Sequence, residues 1–131
     1  MKIKTTKQTI LTCMTLALAV IFTTAVKARS SDKWRLHFNG KANNDGVLVI
    51  ELTPVGGQPI TIQAEIKNNT RENEASREVT RKLRSVLKDD YKIRHDDGEE
   101  IKIKAERGQA DFELEVTSNT ADGLKVRTDH E

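Results

Sequence analysis

Apolar side chains recur at every second position along three segments of the chain, 34–38, 48–52 and 60–66. A period of two is typical of a β-strand that buries one face. Turn-forming stretches, "NNDG" and "TPVGGQP", separate the segments, because glycine and proline there interrupt a hydrogen-bonded ladder. The pattern predicts three strands, and it places Trp34 on an apolar face as a core residue, not as a platform for a ligand.

The period changes to that of a helix in the next segment. Apolar residues recur there at spacings of three and four, which predicts an amphipathic helix from about residue 71 to residue 88. Asn69 or Thr70 can cap its start, and Asn68-Asn69-Thr70 also reads as a glycosylation sequon. The predicted buried stripe consists of Ala75, Val79, Leu83, Val86 and Leu87.

Period-two alternation resumes after the helix and predicts four further strands. The elements follow the order βββ-α-ββββ, which defines an α+β domain with a mainly antiparallel sheet. The last four strands would form a C-terminal meander, with its apolar face packed on the helix. The pattern leaves open whether the seven strands form one sheet or two layers. The last four strands cover Tyr91–His95, Glu99–Ala105, Asp111–Thr117 and Leu124–Thr128, and the residues after Arg127 form a short polar tail.

Charges on the last three strands predict how these strands pair. Residues directly opposite each other in an antiparallel ladder face the same side, and opposite charges there favour the register. With Ala105 opposite Phe112, apolar residues match on one face while cations meet carboxylates on the other. The predicted outer pairs are Lys104–Glu113, Lys102–Glu115, Glu115–Lys125 and Glu113–Arg127.

The segment "RHDDGEEIKI" gathers one histidine and four carboxylates around Gly98. A calcium loop of EF-hand type with this glycine at its sixth position would need ligands at the first and last positions, where the chain has Ile93 and Lys104. A catalytic pair of carboxylates needs a cleft between the two groups, and the pattern predicts none. We therefore expect a turn here, with neither a metal site nor a catalytic site.

A three-residue hairpin loop, Asp96–Gly98, accounts for the segment. It would pair Ile93 with Ile101 and give the glycine the left-handed position of a glycine bulge. His95 would then face Glu99 at the rim of the inner side of the sheet. This rim pair is the only part of the cluster that we single out for inspection as a site.

Residues 1–28 have the layout of a secretory signal peptide. A basic start is followed by an apolar run, Ile10–Val26, and by small residues ahead of a cleavage point after Ala28. An uncleaved anchor fits less well, because the run is shorter than the about 20 apolar residues that span a bilayer. We predict export to the periplasm or the cell exterior, with 29–131 as a single small domain that is not membrane-embedded.

Removal of this leader changes the charge and the cysteine content. The full chain has 22 Lys and Arg against 20 Asp and Glu, and four of the lysines precede residue 29, which leaves 18 against 20. Bulk charge therefore gives no reason to expect nucleic acid as a partner. The single cysteine, Cys13, also lies in the leader, so the predicted domain has no disulfide, thiol catalysis or cysteine-based metal site.

The remaining candidates for catalysis are weak. His37, His95 and His130 do not have the spacing of a metal site, and the chain lacks a nucleophile elbow and a phosphate-binding glycine loop. We expect no catalytic residue, no metal ligand and no cofactor. An enzyme would need a site assembled from scattered residues.

The helix carries one patterned surface. Four cations at spacings of four, three and four fall on the side opposite the apolar stripe. One interpretation is a solvated outer face that nearby glutamates partly neutralise. The other is a docking ridge for an acidic protein or an anionic envelope polymer. We call these residues the helix ridge: Arg77, Arg81, Arg84 and Lys88.

Residues 60–105 resemble a strand–helix–hairpin unit of phage tail and sheath-type domains, and they also resemble small uncharacterised exported bacterial α+β proteins. The resemblance rests on the apolar pattern together with Thr70, Ala75 and Val79. It implies a non-enzymatic interaction or structural module. The sequence thus predicts an exported binding or adaptor domain, for example a partner or inhibitor of an envelope protein. A small enzyme with a dispersed site and a structural assembly subunit remain as alternatives.

Overall fold

Seven strands and one α-helix follow one another in the order βββ-α-ββββ in the computed structural model, which describes residues 29–131. The predicted α+β class and element order are confirmed, whereas the predicted leader lies outside the described residues. The elements are β1 (Lys33–Gly40), β2 (Gly46–Pro54), β3 (Ile60–Ile66), α1 (Glu72–Leu87), β4 (Tyr91–Asp96), β5 (Glu100–Ala105), β6 (Phe112–Asn119) and β7 (Leu124–His130), with one 3₁₀ turn at Lys88–Asp90 between α1 and β4.

The strands form two antiparallel sheets, which answers the question that the pattern left open. The larger sheet has the order β4-β5-β1-β7, and the smaller has the order β3-β2-β6. The predicted C-terminal meander is therefore wrong, because β5 pairs with β4 and β1, and β6 pairs with β2. The chain changes sheet between β5 and β6 and again between β6 and β7.

Apolar matching explains why the wrong registers looked acceptable. In the structure Ile103 lies opposite Trp34, and Leu114 lies opposite Leu52, so each strand finds an apolar partner on a strand distant in sequence. The predicted pairs of Glu113 and Glu115 with Lys104 and Lys102 on β5 do not form. The predicted pairs of the same two glutamates with Arg127 and Lys125 on β7 do not form either. These cations and glutamates lie on different sheets.

The β4–β5 hairpin has a three-residue loop, but the loop is Asp97–Glu99 and not Asp96–Gly98. Ile93 consequently lies opposite Ile103, and not opposite Ile101. Asp97 and Gly98 both have positive φ, at 45° and 73°, so the left-handed backbone begins one residue before the glycine. The shift moves each partner by two positions and leaves the apolar side chains on the same face, so the apolar pattern could not discriminate between the two registers.

Helix α1 packs its apolar stripe against β3, β4 and β1. The helix spans Glu72–Leu87, and its first turn carries Glu72 and Glu74, whose negative charge suits the positive end of the helix dipole. No side chain caps its N-terminus, so the predicted cap at Asn69 or Thr70 is wrong. Val86 is 43% exposed, whereas Ser76 and Thr80 are buried beside the stripe formed by Ala75, Val79, Leu83 and Leu87.

Both sheets and the helix contribute to one hydrophobic core. Trp34 is a core residue, as predicted. Its indole nitrogen donates a hydrogen bond to the Phe112 carbonyl at 2.7 Å, and Tyr91 packs edge-on against the same phenylalanine with ring centroids 5.2 Å apart. The last residues are not a tail, because β7 continues to His130, which lies opposite Trp34. Its ring packs on the indole with centroids 5.4 Å apart.

Candidate functional site

The outward-facing side chains of three neighbouring strands, β4, β5 and β1, are mostly cationic. In two rows that run across these strands, each cation of β5 has another cation directly opposite it on β4 and on β1. Neighbouring strands lie about 4.8 Å apart, so the charges within a row are close together. The rows are Lys92–Lys104–Lys33 and Arg94–Lys102–Arg35, and we call these six side chains the basic face.

Burial of the alternate residues forces these cations outward. Trp34, Ile93 and Ile103 are buried, and successive side chains of a strand point to opposite faces of its sheet. Like charges directly opposite each other destabilise a sheet, by about tenths of a kcal/mol per pair. The hydrophobic core therefore sets the register, and the repulsion between the cations remains as a cost to the fold.

A third row of the same face is acidic and partly neutralises the second. Lys102 Nζ lies 2.6 Å from Asp96 Oδ2, and Arg35 Nε lies 3.6 Å from Glu100 Oε2. Hydrogen bonding to Lys102 lowers the pKa of the Asp96 carboxyl, and the same bond raises the pKa of Lys102. A hydrogen bond to Glu131 raises the pKa of Arg35.

The other four cations of the basic face have no ion pair with any of residues 29–131. They include the whole of the outermost row, which has no carboxylate directly opposite it on any of the three strands. Their charge is available to a partner. The four residues are Lys33, Lys92, Arg94 and Lys104.

An open groove of about 680 Å³ runs beside the outermost row, at the turn that joins β5 to β6. Arg107 in that turn adds a further cation, and Asp32, Glu106 and Glu131 contribute carboxylates at the border of the groove. The groove thus has a cationic floor with a mixed border. Such a surface suits a partner whose carboxylates have fixed positions better than a uniform polyanion.

Aromatic side chains are missing from the surface of the basic face. The aromatic residues of the described part, Trp34, Phe38, Tyr91 and Phe112, are all buried. Binding of single-stranded nucleic acid generally needs exposed rings on which bases stack. The face can therefore attract an anion by charge but offers no platform for bases.

The helix ridge lies next to the strand at the edge of the larger sheet. Arg84 donates a hydrogen bond to the carbonyl oxygen of Ile93 on β4 at 3.2 Å, and Arg81 forms an ion pair with Glu78. Arg77 and Lys88 are exposed. Two of the four ridge cations are thus engaged within the chain, and the docking role of the ridge remains a prediction.

His95 does not face Glu99, so the predicted rim pair is not formed. His95 lies opposite Ile101, and its Nε2 lies 2.7 Å from Ser76 Oγ and 2.8 Å from the Gly98 carbonyl oxygen. The backbone carbonyl of Glu99 instead accepts a hydrogen bond from Phe38 at 2.9 Å. We call the group Ser76, His95 and Gly98 the loop latch, because it fastens the hairpin loop to the start of α1.

A hydroxyl beside an imidazole is also the geometry of an activated nucleophile. In the loop latch, however, Ser76 is fully buried and its hydroxyl also contacts the carbonyls of Asn73 and Gly98, at 2.9 and 2.5 Å. A substrate could not reach this oxygen without opening the hairpin. The contact therefore favours a structural role.

The three histidines lie in three different surroundings. His37 Nδ1 lies 3.5 Å from Glu100 Oε1 on the larger sheet, His95 belongs to the loop latch, and His130 packs on Trp34. Across residues 29–131, the structure contains no group of three or more metal-binding side chains that could hold an ion. In the same part of the chain, no helix is long and apolar enough to cross a membrane.

Sequence reasoning missed the basic face although part of its signal is visible. Each of the three strands carries cations two residues apart, at 33 and 35, 92 and 94, and 102 and 104. Only the pairing of β1 with β5 and of β5 with β4 brings these positions together. Since β1 is distant from β5 in sequence, and the predicted register of the β4–β5 hairpin was two positions off, the two rows could not be inferred from local spacing.

No protein-family model matches the chain, and no curated protein has significant sequence similarity to it. The resemblance to phage tail and sheath-type domains consequently remains a prediction. The functional argument rests on the arrangement of the side chains.

Proposed function

We propose that the protein is a non-enzymatic binding module whose basic face holds the acidic surface of a partner protein. The observation that carries the proposal is the pair of like-charge rows, which place six cations on three adjoining strands. This arrangement opposes the stability of the sheet, and four of the cations have no ion pair in the described chain. An acidic partner would remove the repulsion on binding.

A protein partner suits the face better than a uniform polymer does. The third row and the border of the groove carry carboxylates, among them Asp96, Glu100 and Glu106. These would repel a chain of evenly spaced anions, whereas a folded partner holds its carboxylates at fixed positions and can place them against the free cations and away from these groups. The amino-terminal signal pattern supports a partner in the periplasm or outside the cell.

A titration with labelled poly-L-glutamate, which carries the carboxylates of an acidic protein without its fold, tests whether the basic face attracts carboxylates. The basic-face variant, Lys92→Glu with Lys104→Glu, is expected to bind at least tenfold more weakly than the unchanged protein at low salt. The affinity of the unchanged protein should fall steeply as salt is added, because the contact is electrostatic. Intrinsic Trp34 fluorescence checks that the variant is folded.

Two matched variants with the same change in net charge serve as controls. Lys41→Glu with Lys67→Glu alters two exposed lysines outside both cationic surfaces and should bind almost normally. Arg77→Glu with Arg81→Glu tests the helix ridge. Equal losses in all three variants would indicate attraction by net charge alone and would refute a defined site. If inorganic polyphosphate bound more tightly than poly-L-glutamate, and the basic-face variant lost this binding, the partner would be an anionic polymer and not an acidic protein.

A further inference from the structure

The smaller sheet has an acidic outer surface. Glu51 on β2 lies directly opposite Glu115 on β6. Glu113 precedes Glu115 by two residues on the same strand, and Glu65 lies on β3. All four alternate with buried apolar residues and therefore point away from the core. We call Glu51, Glu65, Glu113 and Glu115 the acidic face.

The two sheets differ sharply in charge. The strands of the smaller sheet carry these four glutamates and no lysine or arginine. The strands of the larger sheet carry eight cations against three carboxylates. The eight cations are Lys33, Arg35, Lys92, Arg94, Lys102, Lys104, Lys125 and Arg127, and the three carboxylates are Asp96, Glu100 and Asp129.

The acidic face also lacks ion-pair partners within the described part of the chain. None of its four glutamates forms an ion pair with any of residues 29–131. Glu51 and Glu115 repel each other across their ladder, in the same way that the lysines of the basic face do. The chain thus presents two separate surfaces of opposite charge, and each carries side chains that have no ion pair among residues 29–131.

The two surfaces also match in spacing. Both are outer faces of antiparallel sheets, in which strands lie about 4.8 Å apart and alternate residues of a strand about 6.8 Å apart. Glu113 and Glu115 have the same separation along their strand as Lys102 and Lys104. An acidic face laid on a basic face can therefore bring several opposite charges together at once.

We propose that the acidic face of one copy of this chain docks on the basic face of a second copy. The proposal rests on the proposed function and names the acidic partner. Val47, which is 36% exposed on the same side of β2 as Glu51, adds apolar contact at the border. Because the two surfaces differ, the contact is head-to-tail, and each added copy still presents one free face of each sign.

Sedimentation velocity on the protein as recovered from its expressing cells tests this docking. At low ionic strength the weight-average sedimentation coefficient should rise with concentration, and it should fall to the monomer value at high salt. Screening at physiological ionic strength already acts over about 8 Å. A protein that stays monomeric at millimolar concentration and low salt would overturn the self-docking.

Two charge-reversal variants make the test specific. The basic-face variant, Lys92→Glu with Lys104→Glu, and the acidic-face variant, Glu113→Lys with Glu115→Lys, should each associate at least tenfold more weakly than the unchanged protein. An equimolar mixture of the two should regain association, because the unchanged acidic face of the basic-face variant can dock on the unchanged basic face of the acidic-face variant. Failure of the mixture to associate, with both variants folded, would count against docking through these surfaces.

The outcomes separate this inference from the proposed function. If the protein does not self-associate but binds poly-L-glutamate through the basic face, the self-docking proposal is wrong and the proposed binding function stands. If the basic-face variant binds poly-L-glutamate as well as the unchanged protein does, the proposed function fails, and the self-docking that rests on it fails as well.

Discussion

Ser76 shows how one buried hydroxyl can fix a loop that the sequence presented as a cluster of charges. It lies on α1 next to the apolar stripe, and it contacts His95 and the carbonyl of Gly98 across the hairpin loop. The carboxylates around Gly98, among them Asp97 and Glu99, do not meet at a common point. The loop is held by a serine that the sequence pattern did not single out.

Ser76→Ala should lower the free energy of unfolding by about 1–2 kcal/mol, because it leaves polar groups of the loop latch without a partner. The higher helix propensity of alanine offsets a few tenths of this loss. Ser85→Ala, at an exposed position of the same helix, is the matched control and should be neutral or slightly stabilising. Urea unfolding followed by Trp34 fluorescence measures both; equal effects would show that the loop latch contributes nothing.

Gly98→Ala should destabilise the protein by about 1–2 kcal/mol, because L side chains disfavour its left-handed backbone. The added Cβ would also lie 2.9 Å from Asn73 Oδ1, whereas at Gly108, which has φ of 89°, nothing lies within 4 Å. Gly108→Ala therefore isolates the backbone effect. Thermal unfolding should show that Gly98→Ala loses more stability than Gly108→Ala does. This difference should vanish when Asn73→Ala is combined with Gly98→Ala, and a difference that persists would point to another contact.

At the scale of elements, the sequence predicted where the strands and the helix lie but not how the strands pair. Period and turn residues are local signals, and they placed all eight elements close to their observed bounds. Pairing depends on contacts between distant segments, such as β1 with β5 and β7. The charge pattern and the apolar pattern agreed on a pairing of β5 with β6 through Lys104 and Glu113. The observed partners of β5 and β6 satisfy the apolar pattern equally well.

The same reason explains the limits of the site prediction. The helix ridge was visible because a helix brings residues of one short segment onto one face. The basic face draws on three strands, so its six cations could be recognised only after the sheet order was known. Surfaces built by β-pairing are therefore harder to infer from one sequence than surfaces built on a helix.

The β4–β5 hairpin should have a pH-sensitive contribution from Asp96. Its pKa is lowered in the folded protein by Lys102, so the stabilisation is present above the ordinary, unfolded pKa and is lost as pH falls through the folded value. Titration of the Asp96 carboxyl by NMR should give a midpoint below its ordinary value of 3.8. Lys102→Met should move that midpoint upward, and an unchanged midpoint would show that another group causes the shift.

On the scale of the whole molecule, charge is separated between the sheets instead of being balanced within each. The described chain has nearly equal numbers of cations and carboxylates, but the larger sheet holds all of the lysines and arginines of the strands, and the only charged residues in the strands of the smaller sheet are glutamates. Net charge alone therefore predicted a weakly acidic domain without a preferred partner. The separation gives the molecule two surfaces of opposite sign, on which the proposed docking depends.

Lys104→Glu should make the folded protein more stable while it weakens binding. Its carboxylate would face Lys92 and Lys33 in place of a repelling lysine, a gain of about 0.5–1 kcal/mol at low salt. Lys67→Glu, at an exposed site outside the rows, should change stability by less than about 0.5 kcal/mol. Thermal unfolding at low and high salt measures the difference, and a gain that does not fade in salt would have another origin.

The central place of β1 in the larger sheet bears on how the chain folds in time. This strand comes first among the described elements, yet both of its neighbours, β5 and β7, come late in the chain. Synthesis must nearly end before β1 can be enclosed on both sides, and such distant pairings make folding slow, in the range of milliseconds to seconds. Stopped-flow refolding followed by Trp34 should report that closure directly, and a chain that stops before β7 should leave β1 as an open edge that invites aggregation.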